Sequence, residues 1–353
     1  MKHLNELKEG KYQNHSCLLT FLTILSHVPD TLISRKYGDE EALKISLMTR
    51  DLLKMKDSDD FMDRVAEFDD YLFKNIPDNL LIYPLNATES NKSIEEYTKI
   101  IDFLLDNNFN RNDEIIAIGG GITTDLASYV ASTYKRGIKI TLIPTTLLAM
   151  VDASIGGKCG INYHSFKNQI GTFYLPYQLI IDESFLDTLS KQEFNNGFSE
   201  IVKYALIQDK EMFKAIEENN YQIEDLINRC IEIKVNIVNK DLYDNNIRKI
   251  LNFGHTYGHI IESHSNYTIS HGHSVAIGMV KELSSQVLKE RVIKVLETRF
   301  DLNYQITKED IKKYLIQDKK IENNTIDVVL IDKIGQAKII KKKVEELIDE
   351  YIW

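Results

Sequence analysis

The order of apolar and polar positions predicts a strand–helix–strand unit in the first half of the chain. The apolar run EIIAI at 114–118 is followed by a glycine triplet, by the helical pattern ITTDLASYVASTYKR, and by a second apolar run, KITLIP, at 139–144. Strand, glycine turn, helix and strand in this order form a βαβ unit with a parallel sheet. Further strands of this sheet are predicted at 43–49, 79–85 and 178–182, and an amphipathic helix at 57–76.

The second half of the chain has a helical pattern that begins near residue 185. All five prolines lie at or before Pro176, so the later segments can form long uninterrupted helices. Near the C-terminus, TIDVVLIDKIGQAKIIK at 325–341 predicts a β-hairpin that turns near Gly335. We therefore predict an α/β, Rossmann-like nucleotide-binding domain at 1–183 and a mainly α-helical domain at 184–353.

Composition and charge narrow the class of protein. The chain has 43% hydrophobic and 27% charged residues, with no apolar run long enough to span a bilayer. The apolar patch at 17–25 lacks the cleavage site of a secretory signal, so we expect a cytoplasmic protein without a membrane partner. A net charge of -10 argues against nucleic-acid binding but permits a small anionic ligand held by locally gathered basic residues. Three widely spaced cysteines favour neither a disulfide framework nor a cysteine-based zinc site.

Histidines are concentrated in the window LNFGHTYGHIIESHSNYTISHGHSVAIGM at 251–279, which contains five of the nine: His255, His259, His264, His271 and His273. The first two are four residues apart, so on a helix both rings lie over one face, where they can bind one metal or flank one reactive centre. A glycine precedes each of them, which suggests that something approaches closely. The HGH pair places both rings on one side if it is extended, or only one ring inward if it forms a turn.

Two further segments could bind anions. GGGITTD at 119–125 follows a predicted strand and begins a predicted helix, an arrangement that can bind a diphosphate. It is not the GxGxxG fingerprint, and three glycines are equally explained by a tight turn. The glycine-rich stretch at 151–171 reads as a polar loop in which Lys158 and Lys167 could hold a phosphate or a carboxylate, although loop lysines are usually solvated.

Glu200 is a candidate third metal ligand. It lies three residues before Lys203 on a predicted helix in NGFSEIVK. On spacing alone, an exposed helical ion pair explains this pair better than a metal site does.

Several motifs in order carry a resemblance to a known family. GGGITTDLASYVASTYKRG, IPTTLLAMVDASIGGKCGIN, KNQIG, NGFSEIVKYALI, RKILNFGHTYGH and HGHSVAIGM together resemble the 3-dehydroquinate synthases, which are sugar-phosphate cyclases. The resemblance extends from ESNK at 89–92 to DKK at 318–320. It implies a two-domain, cytoplasmic enzyme, usually a homodimer, that binds NAD and one divalent metal, zinc or in some cases cobalt.

The implied reaction converts 3-deoxy-D-arabino-heptulosonate 7-phosphate to 3-dehydroquinate and phosphate, a step of the shikimate pathway of aromatic amino acid biosynthesis. It combines transient oxidation by NAD, β-elimination of phosphate, re-reduction and an intramolecular aldol closure, so the enzyme is a carbon–oxygen lyase. Two other activities stay open: that of another sugar-phosphate cyclase, and that of a metal-dependent polyol dehydrogenase, which has less need of so many lysines. A non-catalytic relative that keeps the fold is a further alternative.

Matching the family's motifs position by position implies the site residues. The metal ligands are Glu200, His255 and His271. The catalytic residues are His259 as the acid–base group, with Asp244, Lys158, Arg248 and Asn252. The implied NAD contacts are Glu89, Lys92, Gly119, Gly120, Gly121, Asp125, Thr145, Thr146, Lys167, Phe185, Leu186, Asp187 and Thr188. The implied substrate contacts are Arg136, Asp152, Lys158, Asn168, Asn196, Lys203, Lys234, Arg248, Asn252 and one of Lys319 or Lys320.

The chain departs from the family pattern at several of these motifs. Asp244 replaces a glutamate that could orient His259 or a water, and His273 replaces a glutamate that could support His271. Cys159 and Phe166 also differ from the usual threonine and glycine. In the predicted strand LMTRDLL, Arg50 stands beside Asp51, where an acidic residue usually meets the NAD ribose.

Overall fold

A computed structural model of the chain describes residues 81–164, 166–315, 321–322 and 324–351. The strand predicted at 43–49, the helix predicted at 57–76, Arg50, Asp51, Lys319 and Lys320 lie outside the described residues. Within the described part, no helix combines the length and the apolar character that crossing a membrane requires.

The described helices are α1 Ile94–Asp106, α2 Gly121–Thr133, α3 Lys191–Gln208, α4 Lys210–Glu217, α5 Ile223–Lys240, α6 His255–His264, α7 His271–Glu282, α8 Gln286–Leu296, α9 Lys308–Leu315 and α10 Val344–Tyr351. The described strands are β1 Glu114–Gly119, β2 Lys139–Pro144, β3 Lys158–Tyr163, β4 Phe166–Phe173, β5 Gln178–Leu179, β6 Ile321–Glu322, β7 Thr325–Lys333 and β8 Gln336–Lys343.

The chain divides into two compact units. Among the described residues, the first unit contains the segment up to Thr145 together with the stretches 161–167 and 177–189. The second unit contains 146–160, 168–176 and the described residues from Ser190 onward. Each unit therefore draws on more than one segment of the chain.

The first unit is built on a parallel sheet in the order β1-β2-β5. β1 pairs with β2 along its whole length, from Glu114 opposite Lys139 to Gly119 opposite Pro144, and α2 connects them. This confirms the predicted βαβ unit and the strand near 178. The strand prediction at 79–85 is wrong for the described part, because residues 81–85 have no regular secondary structure. Pro84 lacks the N–H group that a strand ladder requires.

The segment at 151–171 is not the polar loop that its glycines suggest. A short π-helix at Ala149–Ala153 precedes the hairpin strands β3 and β4. Two glycines explain how the strands come so close: a Cβ on Gly160 would lie 2.5 Å from the Ile170 carbonyl oxygen, and one on Gly171 would lie 2.4 Å from that of Cys159. The glycines therefore serve strand pairing.

The second unit is mainly helical and is centred on α3. Every residue of α3 from Asn195 to Ile207 is buried, including its polar ones. A helix surrounded on all sides presents its charged groups to the interior, where each needs a partner. The antiparallel strands β7 and β8 meet at Gly335, as predicted, and an apolar cluster around Tyr257 and Ile311 packs α6 against α9 and α10.

Candidate functional site

Three side chains of the second unit form a metal-ligand geometry. Glu200 extends from the middle of α3, and His255 and His271 are the first residues of α6 and α7. Both histidine Nε2 atoms lie 3.5 Å from Glu200 Oε1, and the three ligand atoms lie within 4.8 Å of one another. Oε1 is fully buried and, among the described residues, has no donor in hydrogen-bonding geometry. A divalent cation would satisfy it, and one carboxylate with two imidazoles is a donor set that suits zinc.

Glycines determine how closely the helices that carry these ligands approach. A Cβ on Gly278 of α7 would lie 2.0 Å from the Gly254 carbonyl oxygen, and one on Gly258 of α6 would lie 3.1 Å from that of Ser274. Gly272 meets the backbone of Asn196 on α3 in the same way. The close approach suggested by the sequence is therefore that of α7 to α6 and α3, which brings the three ligands together.

The charges around the three ligands prepare two of them for a cation. Burial raises the pKa of the Glu200 carboxyl, but the Lys203 ammonium group and His255 outweigh burial and lower it to about 2. Burial, together with Lys203, lowers the pKa of His255 to about 3. Burial would also lower the pKa of His271, but the Glu262 and Glu200 carboxylates together outweigh burial and raise this pKa to about 10. At neutral pH Glu200 is thus ionised and His255 is neutral.

A buried ion network adjoins the metal-ligand residues. Lys203 pairs with Glu200, and its Nζ lies 4.0 Å from Asp152 Oδ1, which is 2.7 Å from Lys234 Nζ. The Tyr204 hydroxyl donates to the same carboxylate. Burial raises the pKa of the Asp152 carboxyl, but the ammonium groups of Lys234 and Lys203 outweigh burial and hold this pKa well below its usual range. Lys203 is only 1% exposed, so the alternative of an exposed helical ion pair is wrong.

The segment between α5 and α6 contains two predicted site residues, Asp244 and Arg248, and contacts a third, Lys158 of β3. The Arg248 guanidinium is buried, and Nη1 donates to the carbonyl oxygens of Gly156 at 3.0 Å and Leu242 at 2.5 Å. Asp244 has a left-handed backbone, with φ of 59°, and its carboxylate pairs with Lys158, whose side chain is 52% exposed. Lys158 therefore presents its ammonium group at the surface with a counter-ion beside it.

The first unit contains the predicted nucleotide-binding turn. Gly119 ends β1 with φ of 156°, and a Cβ there would lie 2.5 Å from the Thr123 hydroxyl oxygen. Gly120 caps the N-terminus of α2. The first N–H groups of a helix have no acceptors within it, so this end of α2 can bind a diphosphate. The turn thus fits an NAD diphosphate. Gly119 is also required by the local backbone, whether or not a diphosphate binds.

Three of the predicted NAD contacts form a hydrogen-bonded group in the first unit. Lys92 pairs with Asp125. Asn162 donates its backbone N–H to the Lys92 carbonyl oxygen at 2.7 Å and its Nδ2 to Glu89 Oε1 at 2.7 Å. The sequence reasoning did not select Asn162, which holds the short helix at 89–91 to β3.

Comparison with known proteins identifies the family. Residues 82–196 match the family model of the 3-dehydroquinate synthase N-terminal domain, and residues 197–321 match that of the C-terminal domain. A 3-dehydroquinate synthase of Blochmanniella floridana is 40% identical over 273 residues, which are 71% of this chain and 75% of the relative. One of Enterococcus faecalis is 39% identical over 280 residues, 74% of this chain and 78% of the relative.

This chain belongs to the 3-dehydroquinate synthase family. Residues 1–76 match a different family model, that of ATP:dephospho-CoA triphosphoribosyl transferase, and the 3-dehydroquinate synthase match begins after them.

Solved structures of related cyclases agree with the predicted fold class. 2-epi-5-epi-valiolone synthase from Streptomyces hygroscopicus subsp. jinggangensis 5008, solved with NAD+ and Zn2+ bound, is 26% identical with a TM-score of 0.69, covering 76% of this chain and 80% of that one. A 2-deoxy-scyllo-inosose synthase complexed with carbaglucose-6-phosphate, NAD+ and Co2+ is 25% identical with a TM-score of 0.70, covering 82% and 86%. The α/β nucleotide-binding part with a helical metal-binding part is therefore confirmed.

The remaining histidines of this 3-dehydroquinate synthase relative have separate environments. His259 is exposed, with its ring centroid 5.5 Å from that of His255 and 6.4 Å from that of His271. His273 lies in the first turn of α7 and not in an extended segment. Its Nε2 lies 2.5 Å from the Asp301 carbonyl oxygen, and its ring stacks on Phe300. It does not join the metal-ligand residues.

His264 is half-buried and lies apart from the metal-ligand residues. Its Nδ1 lies 2.5 Å from the Tyr304 hydroxyl, its Nε2 lies 3.6 Å from Asp310, and 29% of the side chain is exposed.

Two carboxylates near the ligands, the buried Glu262 and the half-buried Glu282, were not selected from the sequence. Glu262 Oε2 lies 3.3 Å from His271 Nδ1. Glu282 accepts the N–H groups of Gly254 at 2.7 Å and Tyr257 at 3.0 Å, which holds the start of α6. Glu262 had a signal, because it lies seven residues after His255 on the same helical face. Glu282 had none, because its partners lie 25 and 28 residues away.

The other predicted contacts are placed as follows. Asn196 is buried and accepts from the Ser270 hydroxyl at 2.5 Å, and Thr146 accepts from the Ala149 N–H at 3.2 Å. The Thr145 N–H donates to the Gly119 carbonyl oxygen at 2.9 Å. Phe185 is buried, Lys167, Leu186 and Asn252 are half-buried, and Arg136, Asn168, Asp187 and Thr188 are exposed.

Proposed function

We propose that this chain catalyses the 3-dehydroquinate synthase reaction, converting 3-deoxy-D-arabino-heptulosonate 7-phosphate to 3-dehydroquinate and phosphate. One observation carries the proposal: in a member of this family, Glu200, His255 and His271 converge beside the buried Asp152 network. We also propose that the enzyme is cytoplasmic and acts as a homodimer. Size-exclusion chromatography with light scattering tests the oligomeric state.

Glu200, His255 and His271 would hold the metal, which we propose is zinc. Zinc held there would supply a Lewis acid able to polarise a substrate hydroxyl. Nε2 of each histidine faces Glu200, while His255 Nδ1 lies 3.1 Å from the Phe253 carbonyl oxygen and His271 Nδ1 lies beside Glu262. Because the pKa of His271 is raised to about 10, a cation would displace the proton on its Nε2. Since a carbonyl oxygen can only accept, His255 carries its hydrogen on Nδ1.

Glu89, Lys92, Asp125 and the glycine turn at 119–121 would hold NAD, whose diphosphate suits the N-terminus of α2. When bound there, NAD would supply a reversible hydride acceptor and would not be consumed over a turnover. The reaction is therefore a net elimination and cyclisation.

Basic side chains of the second unit fit an anionic substrate. Lys158 is exposed enough to bind a phosphate in place of Asp244. Lys203 and Lys234 are buried and paired with Glu200 and Asp152, so they would contribute positive charge behind the site. Arg248 uses Nη1 for two backbone carbonyls, which fixes the plane of its guanidinium. Its remaining N–H groups can donate to the substrate carboxylate.

His259 is the residue best placed to move protons. Its ring is exposed beside the rings of both metal-ligand histidines, so its imidazole can take a proton from a substrate hydroxyl and give it back. Oxidation of the substrate hydroxyl gives a carbonyl, and in the elimination the neighbouring carbon loses a proton. The C–H electron pair becomes a C=C bond, and the C–O bond breaks so that its electron pair leaves with phosphate. A phosphate oxygen of the substrate can accept that proton.

A pair of substrates tests this proposal against another sugar-phosphate cyclase. Phosphate release is measured with the heptulosonate phosphate and with a heptulose 7-phosphate that lacks the carboxylate, both with NAD and zinc. We expect much faster phosphate release from the first substrate, because Arg248 and the lysines would bind its carboxylate. Preference for the second would assign a different cyclase activity, and lasting accumulation of NADH would assign a polyol dehydrogenase.

A further inference from the structure

A carboxylate behind His271 is a structural feature that the proposed reaction does not use. Glu262 lies in the third turn of α6 and is 4% exposed. Its Oε2 lies 3.3 Å from His271 Nδ1, while His271 Nε2 faces Glu200 Oε1 at 3.5 Å. The ring of His271 is therefore held between two carboxylates, one on the ligand side and one behind it.

The two metal-ligand histidines differ in what holds their Nδ1 atoms. His255 Nδ1 faces the neutral carbonyl oxygen of Phe253 at 3.1 Å, whereas His271 Nδ1 faces a carboxylate. Either acceptor holds a hydrogen on Nδ1, so Nε2 is the atom that would bind a cation. Only the carboxylate also adds a negative charge, which makes the imidazole a stronger donor to a metal.

The Glu262 carboxylate also changes the net charge around the metal-ligand residues. Lys203 pairs with Glu200, so the ammonium group offsets much of the negative charge that the ligand offers to a dication. Glu262 restores a negative charge on the opposite side of His271, close to the site yet outside the ligand set. Seven residues, or two helical turns, separate Glu262 from His255, so α6 holds one ligand and the support of the other on the same face.

We propose that Glu262 is a positioning residue for the metal: it fixes the ring and the tautomer of His271 and strengthens this histidine as a ligand. The inference rests on the metal site of the proposed function but not on the reaction that the enzyme catalyses. Its test measures metal binding without substrate, so failure of the proposed activity and failure of this inference are distinguishable.

The test titrates the metal-free full chain with Co2+ and follows both the dissociation constant and the visible absorption of the bound ion. Glu262→Ala is expected to weaken Co2+ binding about 10- to 100-fold and to change the absorption bands, because the His271 ring loses its support. Glu262→Gln keeps an oxygen that accepts the Nδ1 hydrogen and loses only the charge, so its loss is expected to be smaller.

Glu217→Gln is the matched control, since Glu217 is another ion-paired carboxylate of the second unit, bound to Arg291 at 2.8 Å and not to a metal-ligand residue. It should bind Co2+ as the unmodified chain does. Co2+ binding by Glu262→Ala within twofold of the unmodified chain, with the same absorption bands, overturns the proposal, as does an equal loss in Glu217→Gln. If Glu262→Ala does not fold, unchanged affinity and absorption in Glu262→Gln overturn it instead.

Discussion

A Cβ atom on Gly278 would lie 2.0 Å from the carbonyl oxygen of Gly254, so the second half of α7 is in backbone contact with the residue that immediately precedes α6 and its ligand His255. Neither glycine has space for a side chain, and Gly254 also has φ of 77°. This contact, rather than a ligand, explains the glycines of GHTYGH, and it fixes the spacing between His255 and His271.

The first prediction concerns this helix contact. Gly278→Ala should lower the free energy of unfolding by about 1–3 kcal/mol or more, because the added methyl group forces two backbones apart. It should also lower the zinc content of the purified protein. Gly258→Ala is the graded comparison, since its Cβ would lie 3.1 Å from its nearest neighbour. Denaturant unfolding should rank Gly278→Ala as the less stable variant; the reverse order would show that this contact does not determine the helix spacing.

The second prediction separates the roles of two histidines on one helix face. His255→Ala should lose bound metal, because it removes one of three ligands. His259→Ala should retain metal and lose turnover by about 10²- to 10⁴-fold, the range expected for an acid–base group. Metal analysis and steady-state rates on the same preparations provide the measurement. Equal metal loss in both variants would contradict the assignment.

The third prediction concerns the buried ammonium group of Lys203. Lys203→Met leaves Glu200 and Asp152 close together without this counter-ion, so the metal-free protein should lose about 3–5 kcal/mol of unfolding free energy. Lys99→Met is the control, because Lys99 forms an i,i+3 pair with Glu96 and is 66% exposed. It should change stability by less than about 1 kcal/mol. Similar losses in the two variants would show that the buried pair contributes no more than the exposed one.

The fourth prediction is a dependence of stability on pH that comes from Asp152. A carboxyl whose pKa is lowered in the folded state stabilises the fold above its ordinary pKa of 3.8, and the contribution is lost as the pH falls through the folded-state value. Unfolding free energies of the metal-free protein and of Asp152→Asn should therefore differ most at neutral pH and converge as the pH falls below about 4. A difference that stays constant down to the lowest pH would count against the lowered pKa.

The sequence was sufficient for features that depend on neighbouring residues. The βαβ unit, the β7–β8 hairpin and the helical positions of Glu200 and His255 follow from periodicity and turn residues. The choice of His271 over His273 did not follow from periodicity, because an extended segment and a helix start place the two rings differently; it came from the resemblance. The structure places His271 beside Glu200 and turns His273 towards Phe300.

Features that depend on distant contacts were not predictable. The Glu200–Lys203 spacing indicates an exposed ion pair, and only the burial of α3 on every side shows that the pair is internal. The segment at 151–171 reads as a loop because its glycines are turn formers, yet they allow β3 and β4 to pair. Glu282 contacts residues 25 and 28 positions away, so no local pattern marks it.

The proposed reaction is tested most directly by following three products in one experiment. The full chain, loaded with zinc and supplied with NAD and 3-deoxy-D-arabino-heptulosonate 7-phosphate, is assayed together for phosphate, 3-dehydroquinate and NADH. We expect phosphate and 3-dehydroquinate to appear in equal amounts over many turnovers, with NADH never exceeding the enzyme concentration. No phosphate release from the zinc-loaded protein, or NADH that accumulates in proportion to the substrate consumed, would contradict the proposed function.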